Sequence, residues 1–151
     1  MKSELLKILH CPVSKQKLIL EQSNASDFEI ETAWLVSQDG KYRYPIQKFV
    51  PRFVPKTNYA DNFGIQWNYF SKTQLDSHSG HSISSNRFWK TTNWKASEMK
   101  DKWVLDVGCG SGRFTEIALD AGAKVVALDY SSAVDACYSN FINHPNLHVV
   151  Q

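Results

Sequence analysis

Between Trp103 and Gly112 the chain passes from an apolar run, Trp103-Val104-Leu105, through Asp106-Val107 into Gly108-Cys109-Gly110-Ser111-Gly112. No other stretch limits the fold as tightly. The apolar run reads as a buried strand with an acidic tip, and glycines on alternate positions let the backbone turn sharply and let a ligand approach without Cβ clashes. The helix expected from Arg113 onward turns its free N–H groups and the positive end of its dipole toward the same point. Strand, tight loop and helix together predict a small-molecule site of the kind that holds a nucleoside cofactor.

What the loop lacks narrows the choice of cofactor. A phosphate-binding loop would carry Lys and Ser/Thr at the helix start, and a dinucleotide fingerprint would place its third glycine at position 113, where this chain has Arg. An acid two residues before the first glycine repels a pyrophosphate and suits an ammonium group. S-adenosylmethionine carries an ammonium, a carboxylate and a sulfonium. Asp129 ends the next apolar run, Lys124-Val125-Val126-Ala127-Leu128, 21 positions after Gly108, where the fold puts a carboxylate beside ribose hydroxyls. Tyr130 follows it.

Residues 103–132 therefore resemble the cofactor half of a class I S-adenosylmethionine-dependent methyltransferase. The resemblance implies that Asp106, Gly108, Cys109, Gly110 and Gly112 line the methionine part, that Asp129 takes the ribose, and that Tyr130 flanks the adenine. The plainer alternative is a glycine turn in a structural βαβ unit, with Asp129 a helix cap.

Composition sets wide bounds. The 151 residues are 42% apolar, with 17 basic against 15 acidic side chains, for a formal charge of +2. Such a balance, without a Lys/Arg block, gives no clear nucleic-acid signal. No segment approaches the ~20 apolar residues of a membrane span, so a cytoplasmic location and no membrane partner are expected. Cys11, Cys109 and Cys137 show no paired spacing, which argues against a disulfide framework. Cys109 reads as a small loop residue and Cys137 as a core filler.

Residues 1–56 form a first unit. Ser3 is expected to cap a short helix through Leu9, with short strands at Lys17–Leu20, Phe28–Val36 and Tyr42–Ile46 broken by Asp39-Gly40. Leu5-Leu6-x-Ile8-Leu9-x-Cys11-Pro12-Val13 and Asp39-Gly40-x-Tyr42-x-Tyr44-Pro45-Ile46 resemble the small zinc-ribbon-like domain that accompanies many methyltransferases. The ribbon is degenerate here, since Ser14 stands where the second cysteine of Cys-Pro-x-Cys belongs. One cysteine beside His10 cannot supply four tetrahedral ligands, so no metal is expected. A docking or substrate-framing role and a purely structural one both remain open.

Residues 57–100 read as a helical linker or lid, after Pro51, Pro55 and the polar Lys56-Thr57-Asn58. The aromatic stripe Phe63, Trp67 and Phe70 is expected to pack in a core, and Asp76-Ser77-His78-Ser79-Gly80-His81 to form a mobile polar loop. By resemblance, Phe63-Gly64-Ile65-Gln66-Trp67 looks like a segment folding over the cofactor, with Arg87 reaching its carboxylate; nearness in sequence to that segment makes His78 and His81 candidates for contacting an acceptor.

Residues 101–151 then supply strand, helix, strand, helix, strand: helices over Arg113–Ala121 and Ser131–Ile142, strands over Lys124–Leu128 and Leu147–Val150. The fold class expected is α/β, an incomplete Rossmann-like parallel sheet of the class I methyltransferase type with a small, mainly β N-terminal domain. Only the first half of an S-adenosylmethionine-binding domain is expected in residues 101–151, a truncated arrangement that leaves one apolar edge open and is inactive alone. The reading is of a methyltransferase acting on a small-molecule acceptor. Its catalytic residues and oligomeric state are not identified. A non-catalytic cofactor-binding or partner module is the alternative from another class, and a nicotinamide oxidoreductase is disfavoured by Arg113.

Overall fold

The computed structural model describes residues 1–25, 29–55 and 57–151, grouped in two compact units: Met1–Pro55 with Val150–Gln151, and Lys56–Val149. Phe28 and Lys56, expected in a strand and a linker, lie outside the described residues.

The first unit is an antiparallel meander. After a one-turn helix α1 (Ser3–Leu6), strands β1 (Leu18–Ala25), β2 (Ile30–Ser37), β3 (Arg43–Gln47) and β4 (Val50–Pro51) pair in sequence order. The register sets Leu20 opposite Leu35 and Leu35 opposite Tyr44. Leu5, Leu35, Ile46 and Val50 are fully enclosed and form its core. Helix α1 is shorter than expected, and Ser3 sits inside it: the preceding Lys2 is the cap residue, and no side chain caps the helix. The β2–β3 turn is tied by its own side chains, since Ser37 Oγ donates to Asp39 at 2.6 Å and accepts the N–H of Tyr42 at 3.0 Å. The Ser37 hydroxyl is the main reason the Asp39 carboxyl lies below the usual range.

The loop from Cys11 to Gln16 folds on the cysteine. Cys11 Sγ accepts the N–H of Ser14 at 3.3 Å and lies 3.2 Å from Tyr44 Oη. Burial pushes the Cys11 thiol up, but the bonds from Ser14 and Tyr44 outweigh it and bring it down to about 7. Among the described residues no group of three or more His, Cys, Asp or Glu side chains is placed to hold a metal ion.

The second unit opens with helices α2 (Asp61–Tyr69), α3 (Asp76–Ser79) and α4 (Ile83–Thr92) and continues as β5 (Trp103–Val107), α5 (Arg113–Asp120), β6 (Lys124–Leu128), α6 (Ala133–Asn140) and β7 (Leu147–Val150). The sheet order is β5-β6-β7, with β5 and β6 parallel. Val125 and Ala127 of β6 are fully buried, as are Val134 and Cys137 of α6, so one sheet face is covered by helices. On the opposite face Trp103, Leu105 and Val107 are 45%, 62% and 69% exposed. Among the described residues no helix is long and apolar enough to cross a membrane.

Two sequence expectations fail in the helical segment. The Phe63, Trp67, Phe70 stripe is not core: Phe63 is 61% and Phe70 49% exposed. Helix α2 docks on α6 through Gly64, whose absent Cβ is replaced by Ser132, and this small contact turns the large rings outward. The polar stretch from Asp76 is a helical turn rather than a mobile loop. Its polar groups are satisfied by protein partners: the buried Glu116 accepts the Asp76 N–H at 2.8 Å and the Ser77 hydroxyl, and Gly80 ends the turn with φ 70°.

Candidate functional site

The glycine loop begins where two strands end together. Val107 pairs with Leu128, and the Leu128 carbonyl accepts both the Gly108 N–H at 2.7 Å and the Cys109 N–H at 3.0 Å. Gly112, with φ 102°, could not be another residue. The conformation is left-handed, and a Cβ would run into the Phe141 ring and approach Cys137 Sγ to 3.2 Å. At Gly108 a Cβ would meet nothing within 4 Å, so the backbone there faces open space. The loop is braced from behind by Asn140, whose Nδ2 donates to Ser111 O at 2.9 Å and Ser71 O at 2.8 Å.

Both predicted carboxylates stand at this loop. Asp106 Oδ2 accepts the hydroxyl of the buried Thr115, on the first turn of α5, at 2.6 Å. Burial pushes the Asp106 carboxyl up; the Thr115 bond opposes this, and the charge of Asp129 adds to it. Asp129 Oδ2 accepts the Gly110 N–H at 2.9 Å, and its Oδ1 accepts the Ser131 N–H and hydroxyl at 2.8 and 2.7 Å. Ser131 Oγ in turn accepts the Ala133 N–H at 3.2 Å, capping α6. The side chain that bonds the first N–H of α6 is Ser131, and Asp129 braces Ser131 without bonding the helix itself. A carboxylate has about four lone-pair sites, and three are used here, which leaves one to accept from a ligand.

Cys109 is enclosed between these acids. A hydrogen bond with Cys137 comes first among the causes that push its thiol well up, followed by burial and the charges of Asp106 and Asp129. Such a thiol is a poor nucleophile. Tyr130, 40% exposed, stacks on Tyr59 with ring centres 5.1 Å apart and planes at 22°. Asn58 Nδ2 donates to the Tyr130 carbonyl at 3.3 Å.

The segment ahead of β5 leans over the loop. Trp67 of α2 lies about where a Cβ on Gly110 would touch it, at 3.7 Å, and Asn68 Nδ2 ties α2 to the Ser132 carbonyl at 2.8 Å. Arg87 is exposed on α4 and borders a cavity it shares with Asp106. His78 and His81 are exposed, and His81 borders a different, polar cavity with Asp76, Ser84 and Arg113. Trp67 lies in the segment expected to fold over the cofactor, and sequence reasoning did not find Thr115, Asn140 or Glu116. Thr115, on the first turn after the loop, carried a local signal; the others are joined to their partners only by the tertiary fold.

Residues 105–151 match the sequence model of the family described as a methyltransferase domain. This part of the chain carries the signature of such a domain, on a mixed α/β architecture with a parallel sheet. The chain is also similar to an uncharacterized protein of Haemophilus influenzae, 42% identical over 48 residues. That alignment covers 32% of this chain, and the chain spans 18% of the length of that curated relative.

Proposed function

We propose that this chain binds S-adenosylmethionine at the Gly108–Gly112 loop and serves methyl transfer to a small-molecule acceptor. The supporting observation is the convergence of Asp106, Asp129 and a left-handed glycine loop on one strand-end crevice, inside the segment that matches a methyltransferase domain. The residues suit the cofactor's chemistry. Asp106 offers negative charge to an ammonium, directly or through water. The open space at Gly108 admits a ligand against the backbone, the remaining lone pair of Asp129 accepts from a ribose hydroxyl, and the Tyr130 ring offers an apolar face to a base. Cys109 contributes only its backbone and bulk.

When bound, S-adenosylmethionine supplies an electrophilic methyl carbon on a sulfonium. The protein's contribution is to orient the partners and exclude water, and proximity and orientation are worth ~7–11 kcal/mol in favourable cases. In this reading β5, β6 and β7 are the first part of a Rossmann-like sheet, residues 57–100 are a lid, and residues 1–56 are a degenerate zinc-ribbon-like module that docks or frames substrate. A cytoplasmic setting accords with it.

Titration of the chain with S-adenosylhomocysteine by calorimetry tests the cofactor assignment, and tighter binding of NAD would refute it. Transfer of a labelled methyl group to small molecules of a cell extract tests catalysis. Binding without transfer would instead make the chain a non-catalytic cofactor or partner module.

A further inference from the structure

Most donors of the glycine loop are engaged within the protein. Gly108 and Cys109 give their N–H groups to the Leu128 carbonyl, Gly110 gives its own to Asp129 Oδ2, and Gly112 donates to the Cys109 carbonyl at 2.9 Å. Arg113, the cation next in sequence, turns its Nε to Ser84 Oγ at 3.0 Å and lies over the Phe114 ring. An amino-acid tail brought to this loop therefore meets an acid suited to its ammonium, Asp106, while the carboxylate on the same carbon still needs a donor.

Helix α2 brings one. The pyrrole edge of Trp67 faces the loop: Nε1, Cε2 and Cδ1 are the atoms nearest Gly110, 3.7–3.9 Å from where a Cβ would stand. An indole nitrogen can only donate, and the Trp67 N–H has no acceptor among the described residues, whereas Trp89 gives its own to Ser85 Oγ at 3.1 Å. The half-buried ring is held in place from both sides. One turn before it Gly64 packs on Ser132, and the next residue, Asn68, donates to the Ser132 carbonyl at 2.8 Å. Ser111, beside Gly110, is 2% exposed and its hydroxyl has no partner among the described residues, so the same turn holds a second unmatched polar group.

We propose that Trp67 anchors the carboxylate of the ligand's amino-acid tail through its indole N–H, and so selects nucleosides that carry such a tail. The inference rests on the S-adenosylmethionine reading for the ligand, and on the placing of α2 against Gly110 for the donor. The zwitterion is then read by two residues far apart in sequence, Asp106 for its cation and Trp67 for its anion. The carboxylate goes to Trp67 and not to Arg87.

The test uses the full 151-residue chain, titrated by calorimetry with S-adenosylhomocysteine and with S-adenosyl-3-thiopropylamine, whose tail keeps the amine and lacks the carboxylate. Trp67→Phe keeps a ring against Gly110 and removes the donor. It is expected to weaken S-adenosylhomocysteine about tenfold or more, the scale of a charge-assisted bond, and to leave the decarboxylated analogue unaffected. A second measurement needs no variant: in wild type the indole N–H resonance of Trp67 should move downfield with S-adenosylhomocysteine and not with the analogue. Equal weakening of both ligands would make Trp67 a packing residue and overturn the proposal, as would unchanged affinity for both. Loss of S-adenosylhomocysteine affinity in Arg87→Gln, with none in Trp67→Phe, would give the carboxylate to Arg87 and overturn it too. If S-adenosylhomocysteine fails to bind wild type, the cofactor reading falls and the role of Trp67 with it; binding that is indifferent to Trp67 sinks the proposal alone.

Discussion

Asp129 joins structure and ligand chemistry in one side chain. Its three internal bonds, to the Gly110 N–H and to both donors of Ser131, fix the loop and the start of α6 before any ligand arrives. A carboxylate held this way loses little freedom on accepting a ribose hydroxyl. Asp129→Ala is therefore expected to weaken S-adenosylhomocysteine by about 1–3 kcal/mol, the scale of bonds to a charged group. It should also destabilise the fold, because the Gly110 and Ser131 donors lose their acceptor. Calorimetry on the variant, at a temperature where circular dichroism shows it folded, separates the two effects. Unchanged affinity in a folded variant would reduce Asp129 to a brace between the glycine loop and Ser131. Asp106 contrasts with it: burial makes its charge costly, and ionisation is tolerated beside Thr115 at a point where a cationic ligand would offset that cost.

Helix α4 shows what an element borrows from the rest of the chain. Its own cap residue, Ser82, makes no side-chain bond, and the work is done by Asp76, whose carboxylate accepts the N–H groups of Ser84 at 3.0 Å and Ser85 at 2.8 Å. Burial pushes the Asp76 carboxyl up, but these bonds outweigh it and hold it below the usual range. A carboxyl lowered on folding stabilises the native state above its unfolded pKa, about 3.9, and that contribution is lost as pH falls through the lower folded value. Asp76→Asn keeps one acceptor oxygen for the two N–H groups and removes the charge, and should thus cost about 1–3 kcal/mol at neutral pH, the scale of leaving a donor without its acceptor. Melting curves measured from neutral to acid pH should converge with wild type at the acid end; parallel curves would deny Asp76 the capping role. The same residue explains the limits of sequence reading. Strands β5 to β7 and helices α5 and α6 were legible because their apolar periods, glycines and capping serines are local signals, and the glycine loop with both carboxylates was legible for the same reason. The helical turn at Asp76 was not, because Ser, His and Gly there favour a loop until Glu116, 40 residues away, satisfies them. Nor was the outward turn of Phe63, which depends on Gly64 meeting Ser132.

For the molecule as a whole, the apolar face of the parallel sheet carries the largest consequence. Register places Trp103, Leu105 and Val107 on one face beside Val126 and Leu128, and the β5 members are the most exposed of the set. Strand β5 is also at the end of its sheet, so an open row of backbone groups adjoins the apolar face. Contiguous apolar surface next to a free strand edge favours association, because burying it gains ~25 cal/mol per Å² and the edge gains hydrogen bonds. In solution the chain is expected to associate as its concentration rises. Val107→Lys places a solvated charge at the C-terminal end of that surface, where the wild-type side chain is 69% exposed, so its effect on folding should stay within about 0.5 kcal/mol. Sedimentation velocity across a concentration series is the measurement: wild type should shift to faster species while Val107→Lys remains at the monomer value. Identical sedimentation of the two proteins would mean that this face does not drive association. A variant that still melts like wild type but no longer associates would locate the contact on β5 and leave the crevice at Gly108 open for titration in a monodisperse sample.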